Sequence, residues 1–219
     1  MALSKNNLSD QIFHLIGNKI VHNELKPGEL IFETKISKEL GVSRSPVRDA
    51  LRMLEQIWLV DRTPKGSYQI TELSIEKIQH LYETAIVIYQ FVFAKAAEKV
   101  TPDDITELEK LMIKIESCIK DNDFDLYITT ITQMAHKVLK IAGNPMIERI
   151  ASELMPTAER IQWVSITSLP DQLKKVVTQL RQGYENIINQ NPEEAAQAFN
   201  NFCSAHIEVV MNSLNQSPE

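Results

Sequence analysis

"GVSRSPVRDALRML", residues 41–54, places Arg44, Arg48 and Arg52 four apart in a chain whose formal net charge is −6. In the same stretch Val47, Ala50, Leu51 and Leu54 recur at helical spacing, which predicts a helix with one apolar stripe turned inward. At 100° per residue, Arg48 and Arg52 then stand side by side on the opposite, solvent-facing surface, with Arg44 beside them at the helix entrance. Ser45 is expected to cap this helix, and Pro46 suits its first turn because its φ is already helical.

Working outward, a short helix is expected from about Glu33 to Leu40, with Ile36 and Leu40 inward and Gly41 as its C-terminal cap. Pro27-Gly28 separates it from an earlier amphipathic helix carrying Ile12, Leu15, Ile16 and Ile20 behind the cap candidate Ser9. Downstream, "WLVDRTPKGSYQIT" (58–71) has the pattern of two short strands around a Pro-Lys-Gly turn. Helix, helix, tight turn, helix, hairpin is the order of a winged helix-turn-helix, and Gly41-Val42-Ser43 supplies the short connection between helices that this motif needs.

Three arginines on a helix face are by themselves ordinary solvated surface. Set in this order of elements they point to double-stranded DNA. An arginine entering the major groove can fork onto guanine O6 and N7 or onto phosphate oxygens. The hydroxyls of Ser43 and Ser45 and the helix N-terminus can add phosphate contacts. Lys65 and Gly66, in the wing turn, would lie against the neighbouring backbone or minor groove. An acidic protein needs positive charge only where that helix meets the duplex.

The charge is divided unevenly. Residues 1–73 carry ten Lys and Arg against nine Asp and Glu, a net of +1, and residues 74–219 carry thirteen against twenty, a net of −7. From Ser74 onward helical periodicity replaces the hairpin pattern. Ile75, Ile78, Leu81, Tyr82, Ala85, Ile86, Tyr89 and Phe93 keep a helical period into "AIVIYQFVFA" (85–94), which is read as a buried helix, apolar all round, and not as a strand. Further helices are expected from the cap at Thr101, from about Phe124 to Ala142, from Pro145 with a kink or break at Pro156, from Pro170 to Asn191, and from Pro192 to Leu214. The fold class is therefore mainly α: residues 1–73 as a winged helix-turn-helix, and residues 74–219 as an all-α antiparallel bundle.

Nothing in "MALSKNNLSDQIF" (1–13) has the apolar core of an export signal, and residues 85–94 are about half of the ~20 needed to cross a bilayer. Cys118 and Cys203 lie far apart without a Cys-x-x-Cys pairing and suit a reducing cytoplasm as apolar fillers. The expectation is a cytoplasmic protein without a membrane partner. No Gly-rich phosphate loop and no set of nucleophile, base and orienter is present. Cys203 with His206, and Thr132 with His136, are spacings that packing explains, so an enzyme is not expected.

"LKPGELI…ISKELGVSRSPVRDALRMLEQIWLV…KGSYQIT" closely resembles the N-terminal domain of GntR-family bacterial transcription regulators. Their pattern runs Leu-x-Pro-Gly-x-x-Leu, then Leu-x-x-x-Leu-Gly-Val-Ser-Arg-x-Pro-Val-Arg-x-Ala-Leu-x-x-Leu. The chain matches at Leu25, Pro27, Gly28, Leu40, Gly41, Val42, Ser43, Arg44, Pro46, Val47, Arg48, Ala50, Leu51 and Leu54, with Ile36 where leucine is usual. The resemblance implies a ligand-responsive regulator that binds a near-palindromic operator as a homodimer. Arg44 and Arg48 are then its base and phosphate contacts, and Gly66 its wing tip. Trp58 stands where the family usually has glycine, which puts the turn into the wing in question.

"HKVLKIAGNPMIERI" (136–150) is similar to the His-x-x-Leu-x-x-Ala-x-Gly-Asn segment of the family's FadR subgroup, whose all-α C-terminal domain senses a small-molecule effector. Many of those domains hold a divalent metal through an Asp and three histidines. Here the Asp position is Thr132, His136 and His206 suit two of the histidines, and the middle one is missing, its place falling on Tyr184 or, by helix phase, on Arg181 or Leu180. Two histidines alone make a weak metal site, so no cofactor is expected, and a metal-dependent regulator sensing a small organic acid is the alternative. The subgroup's Arg and Glu on the first bundle helix correspond to Ala85 and Tyr89. A pocket lined by Ala85, Tyr89, Phe93, Thr132, Met134, His136, Tyr184 and His206 is short of charge, which favours an apolar or acyl effector. The other reading of the same side chains is plain core packing.

Overall fold

Val47, Ala50, Leu51 and Leu54 are completely buried, and the N-terminal elements assemble around them. The computed structural model describes residues 5–216, with side chains at 8–213. Residues 1–4, part of the stretch read for an export signal, lie outside the described residues. The chain divides into two compact units, Met1–Ser74 with Pro156–Arg160, and Ile75–Met155 with Ile161–Glu219.

In the first unit the elements are α1 (Lys5–Val21), β1 (Leu30–Ile31), α2 (Glu33–Leu40), α3 (Arg44–Gln56), β2 (Val60–Arg62) and β3 (Tyr68–Ile70). The strands form one antiparallel sheet in the order β1-β3-β2, with Ile31 opposite Tyr68 and Val60 opposite Ile70. Its core joins Ile12, Ile16 and Ile20 of α1 to the α3 stripe and to Leu59, Val60, Tyr68 and Ile70. Burying one such aliphatic side chain contributes about 1.5–3 kcal/mol, so Leu51→Ala costs about 2–5 kcal/mol once the cavity is counted. Arg160, fully buried in this unit, donates from Nη1 to the Thr71 carbonyl at 2.7 Å, and burial pulls its guanidinium down to about 10.

Three local expectations are corrected here. Helix α1 already runs from Lys5, so Ser9 lies inside it and caps nothing. Leu40 is 39% exposed and not inward. Gly41 turns the chain at φ 66°, the Val42 amide returns to the Ser37 carbonyl at 3.0 Å, and Val42 takes the inward place instead. Ser45 is not the cap of α3: Ser43 holds that position, extended at φ −69° and ψ 161°. Pro46 falls at the third helical residue, so it offers no N–H there for a capping hydroxyl, and Ser43 makes no side-chain cap bond. The third strand, β1, had no signal: two residues are too few to show a period.

The second unit is helical throughout its described residues: α4 (Ile75–Lys99), α5 (Pro102–Asp121), α6 (Phe124–Ala142), α7 (Pro145–Ser168), a 3₁₀ turn (Pro170–Gln172), α8 (Leu173–Ile188) and α9 (Pro192–Gln216). Helix α9 packs along both α4 and α8, while α6 packs on α4 and α5. Local chemistry sets the boundaries. Thr101 and Asp104 form a reciprocal capping box at the start of α5, and Lys137 of α6 adds an ion pair to Asp104 at 2.8 Å, its carboxyl pulled down to about 2 by Lys137 first and Thr101 next. Asn122 (φ 54°) and Gly143 (φ 67°) end α5 and α6 in left-handed conformations. The Asn144 side chain accepts from the Met146 and Ile147 amides to open α7.

Two expectations change. Helix α4 is not apolar all round in a buried setting, since Val87 is 72% and Phe91 42% exposed while Val92, Phe93, Ala96 and Ala97 are buried. Pro156 does not break α7, which continues through it with the loss of one backbone donor. Helices α8 and α4 come close at Gly183, where an added Cβ would stand 2.9 Å from Cε1 of Phe93.

Candidate functional site

Burial of the α3 stripe fixes which side of that helix meets solvent. Arg44, Ser45, Arg48 and Arg52 are all exposed, and Ser43 is exposed at the cap. Arg48 is held by a neighbour: its Nε donates to both carboxylate oxygens of Glu33, at 3.0 and 3.2 Å, and its Nη2 to Glu33 Oε2 at 2.9 Å. The pair joins the first residue of α2 to the outer face of α3. Hydrogen bonding from Arg48 holds the Glu33 carboxyl below its usual range, and the charges of Arg48, Arg44 and Arg62 add to the effect. One guanidinium thus grips the carboxylate, and two more act on it through their charge. Arg62, exposed at the end of β2, was not singled out from the sequence, because only the fold brings its charge to bear on Glu33.

The wing turn is closed by Thr63 N–H to Ser67 carbonyl at 2.8 Å, Gly66 N–H to Thr63 carbonyl at 2.9 Å, and a 2.8 Å bond between the Thr63 and Ser67 hydroxyls. Gly66 adopts φ 83° in open space, and Lys65 beside it is exposed, so both stand at the tip of the hairpin.

Trp58 leaves the turn into the wing intact. It adopts φ 66° itself, and the Leu59 and Trp58 amides return to the Leu54 and Glu55 carbonyls at 3.0 and 3.2 Å. That is the Schellman ending of a helix, in which the left-handed place is usually glycine. The indole is 63% exposed.

In the bundle, His206 is 2% exposed and bonded at both ring nitrogens. Nδ1 lies 2.6 Å from the Tyr82 hydroxyl and Nε2 lies 3.2 Å from Ser165 Oγ. Ser165 donates its hydrogen to the Gln162 carbonyl at 2.9 Å, so its oxygen accepts from Nε2–H and Tyr82 donates to Nδ1. Burial pushes the imidazole down to about 4, which keeps it neutral. Around it runs a chain of rings: Tyr89 stacks on Phe199 (centroids 5.0 Å apart), Phe93 tilts onto Phe199 (4.9 Å), and Phe199 leads through Phe202 to His206. Burial also raises the hydroxyls of Tyr82 and Tyr89 and pushes the Cys203 thiol up to about 12, so these groups stay protonated.

The structure therefore brings Tyr89, Phe93 and His206 into one aromatic cluster. Ala85 is half-buried on α4, and Thr132 and His136 are half-buried one turn apart on α6. Tyr184 is buried on α8, where the charges of Glu109 of α5 and Arg181 act on its hydroxyl; Arg181 pairs with Glu116 of α5. Among the described residues no group of three or more His, Cys, Asp or Glu is placed to hold a metal ion. Tyr82, Ser165, Phe199 and Phe202 were missed. Phe199, Phe202 and His206 sit at helical spacing and were open to discovery, whereas nothing local marks Ser165. A separate surface groove of about 350 Å³ between α8 and α9 is lined by amides such as Gln182, Asn186, Gln197 and Asn201.

Residues 8–70 match the family described as bacterial regulatory proteins, gntR family, and residues 80–208 match the FCD domain. The chain is 25% identical over 206 residues to the uncharacterized HTH-type transcriptional regulator YdhC of Bacillus subtilis (strain 168), covering 92% of this chain and 91% of that protein. It is 26% identical over 159 residues to the gluconate operon transcriptional repressor of the same organism, 72% of this chain and 64% of that one. Among solved structures it is similar to E. coli McbR/YncC, with a TM-score of 0.82 at 17% identity, covering 98% of this chain and 100% of the other. No helix among the described residues is long and apolar enough to cross a membrane.

Proposed function

Because the chain belongs to the gntR family of bacterial regulatory proteins and carries an FCD domain, and is thus a DNA-binding transcription regulator and not an enzyme, we propose that residues 1–73 are its DNA-binding domain and residues 74–219 its effector-binding and dimerisation domain. Two copies of α3 enter successive major grooves of a near-palindromic operator, as two-fold symmetry requires. Arg44, Arg48 and Arg52 contact bases and phosphates, Ser43 and Ser45 phosphates, and Lys65 and Gly66 the backbone beside the wing. The observation that carries this reading is the face of α3: four polar or basic side chains outward, four aliphatic ones buried behind them.

The effector belongs to the bundle, against Tyr89, Phe93 and His206, with Ala85, Thr132, His136 and Tyr184 completing the set. A neutral His206 and a run of aromatic rings favour an apolar or acyl molecule over a carboxylate, whose desolvation needs a cation or metal. His206 offers a metal little, since both nitrogens already have partners. The effector regulates only by binding the DNA-competent and DNA-incompetent dimers with different affinity.

The test is DNA affinity of the full chain for a 30-base-pair duplex that the wild type selects from a random pool. Arg44→Ala and Arg48→Ala should each weaken binding about 10- to 100-fold, the worth of a bidentate arginine contact. Wild-type affinity should also fall steeply with salt as counterions are released. Unchanged affinity in both variants would remove the proposal.

A further inference from the structure

Resting on that reading, we propose that Glu33 is a positioning residue for DNA recognition, fixing the Arg48 guanidinium so that sequence discrimination, more than affinity, depends on it. A guanidinium is planar and carries five N–H groups on two usable edges. Glu33 occupies the side edge, through Nε at 3.0 and 3.2 Å and Nη2 at 2.9 Å. One hydrogen of Nη1 and the second hydrogen of Nη2 remain to form the end edge, the fork that fits guanine O6 and N7. Because the group is rigid, fixing one edge aims the other.

The rotamer freedom of Arg48 is then lost on folding and not at the duplex, which is preorganisation. Glu33 suits this task by its place. It opens α2, a separate helix, so the arginine is braced from outside its own element, and the side chain of Glu33 is 22% exposed against 50% for Arg48. The same carboxylate also feels Arg44 and Arg62. A negative charge among three guanidiniums lowers their pull on phosphates, which every sequence offers equally. Glu33 therefore acts in two directions: it sharpens the base contact and weakens indiscriminate attachment.

The experiment uses the full chain and two fluorescent 30-base-pair duplexes, one selected by the wild type from a random pool and one a scramble of it. Glu33→Gln keeps the shape and loses the charge. It should bind the selected duplex about tenfold more weakly and the scrambled one equally well or a few-fold better, so the specificity ratio falls tenfold or more. Arg48→Lys, which keeps the charge but cannot fork, should lower the ratio similarly. The double variant should do little further harm, because the two residues act as a unit. A Glu33→Gln protein that melts lower yet keeps its specificity ratio would show a mere staple between α2 and α3 and overturn the proposal, as would fully additive losses in the double variant. Failure of the wild type to bind any duplex would instead sink the functional reading itself.

Discussion

His206 offers the most quantitative test of the bundle. Burial lowers its pKa to about 4 in the folded chain, against an ordinary value of 6.5. The folded state thus binds fewer protons than the unfolded one in this window. Its contribution to stability is complete above pH 6.5, declines as pH falls from 6.5 towards 4, and is fully lost below. A shift of that size corresponds to on the order of 3 kcal/mol, with a slope nearing ~1.4 kcal/mol per pH unit inside the window. The chemistry explains the size: a proton on Nδ1 would end its acceptance from the Tyr82 hydroxyl and place a charge between the Tyr82 and Phe202 rings, where burial removes the water that would solvate it. Urea unfolding followed by circular dichroism from pH 7.5 to 5.0 measures it, with His206→Gln as the reference. The variant should start about 1–2 kcal/mol less stable, having lost one of two hydrogen bonds. Its pH dependence should be flatter than wild type between 6.5 and 5. Parallel curves would refute the argument, since carboxylates such as Glu33 and Asp104 titrate alike in both proteins.

Trp58→Gly should stabilise the chain by roughly 0.5–1 kcal/mol, because relief of a left-handed tryptophan outweighs the added freedom of glycine in the unfolded state; Trp58→Ala keeps the strain and should gain nothing, and melting curves that rank alanine above glycine would contradict this. Gly183→Ala should destabilise by about 1 kcal/mol despite the better helix propensity of alanine, since its Cβ meets the Phe93 ring at 2.9 Å; a raised melting temperature would mean that the ring moves freely. Adding Zn²⁺ or EDTA should leave the melting temperature of the wild type unchanged, as the histidines of the bundle do not gather three ligands.

The boundaries of α2 and α6, the Thr101 cap of α5 and the inward stripe of α3 were legible because each rests on residues within a turn or two of one another. Gly41, Thr101-Pro102 and Gly143-Asn144 punctuate the chain whatever lies around them. The outward face of α3 was legible for the same reason, since a helical period fixes which residues stand opposite Val47 and Leu51. Errors came where two local signals competed: Ser45 looked like a cap until Pro46 fell at the third helical place, and α4 looked buried all round because composition does not say which face has a neighbour.

What the sequence by itself determined is therefore the order of the α-helices and of the wing hairpin, the basic face of α3 and the tip of the wing, all set by periodicity and turn chemistry. Only the tertiary structure decided that Glu33 grips Arg48 from fifteen residues away, that Arg62 joins them, and that Tyr82 and Ser165 enclose His206 across separations of 124 and 41 residues. Such contacts depend on how helices and strands pack side by side, and no local period encodes which residue of one element will meet which residue of another.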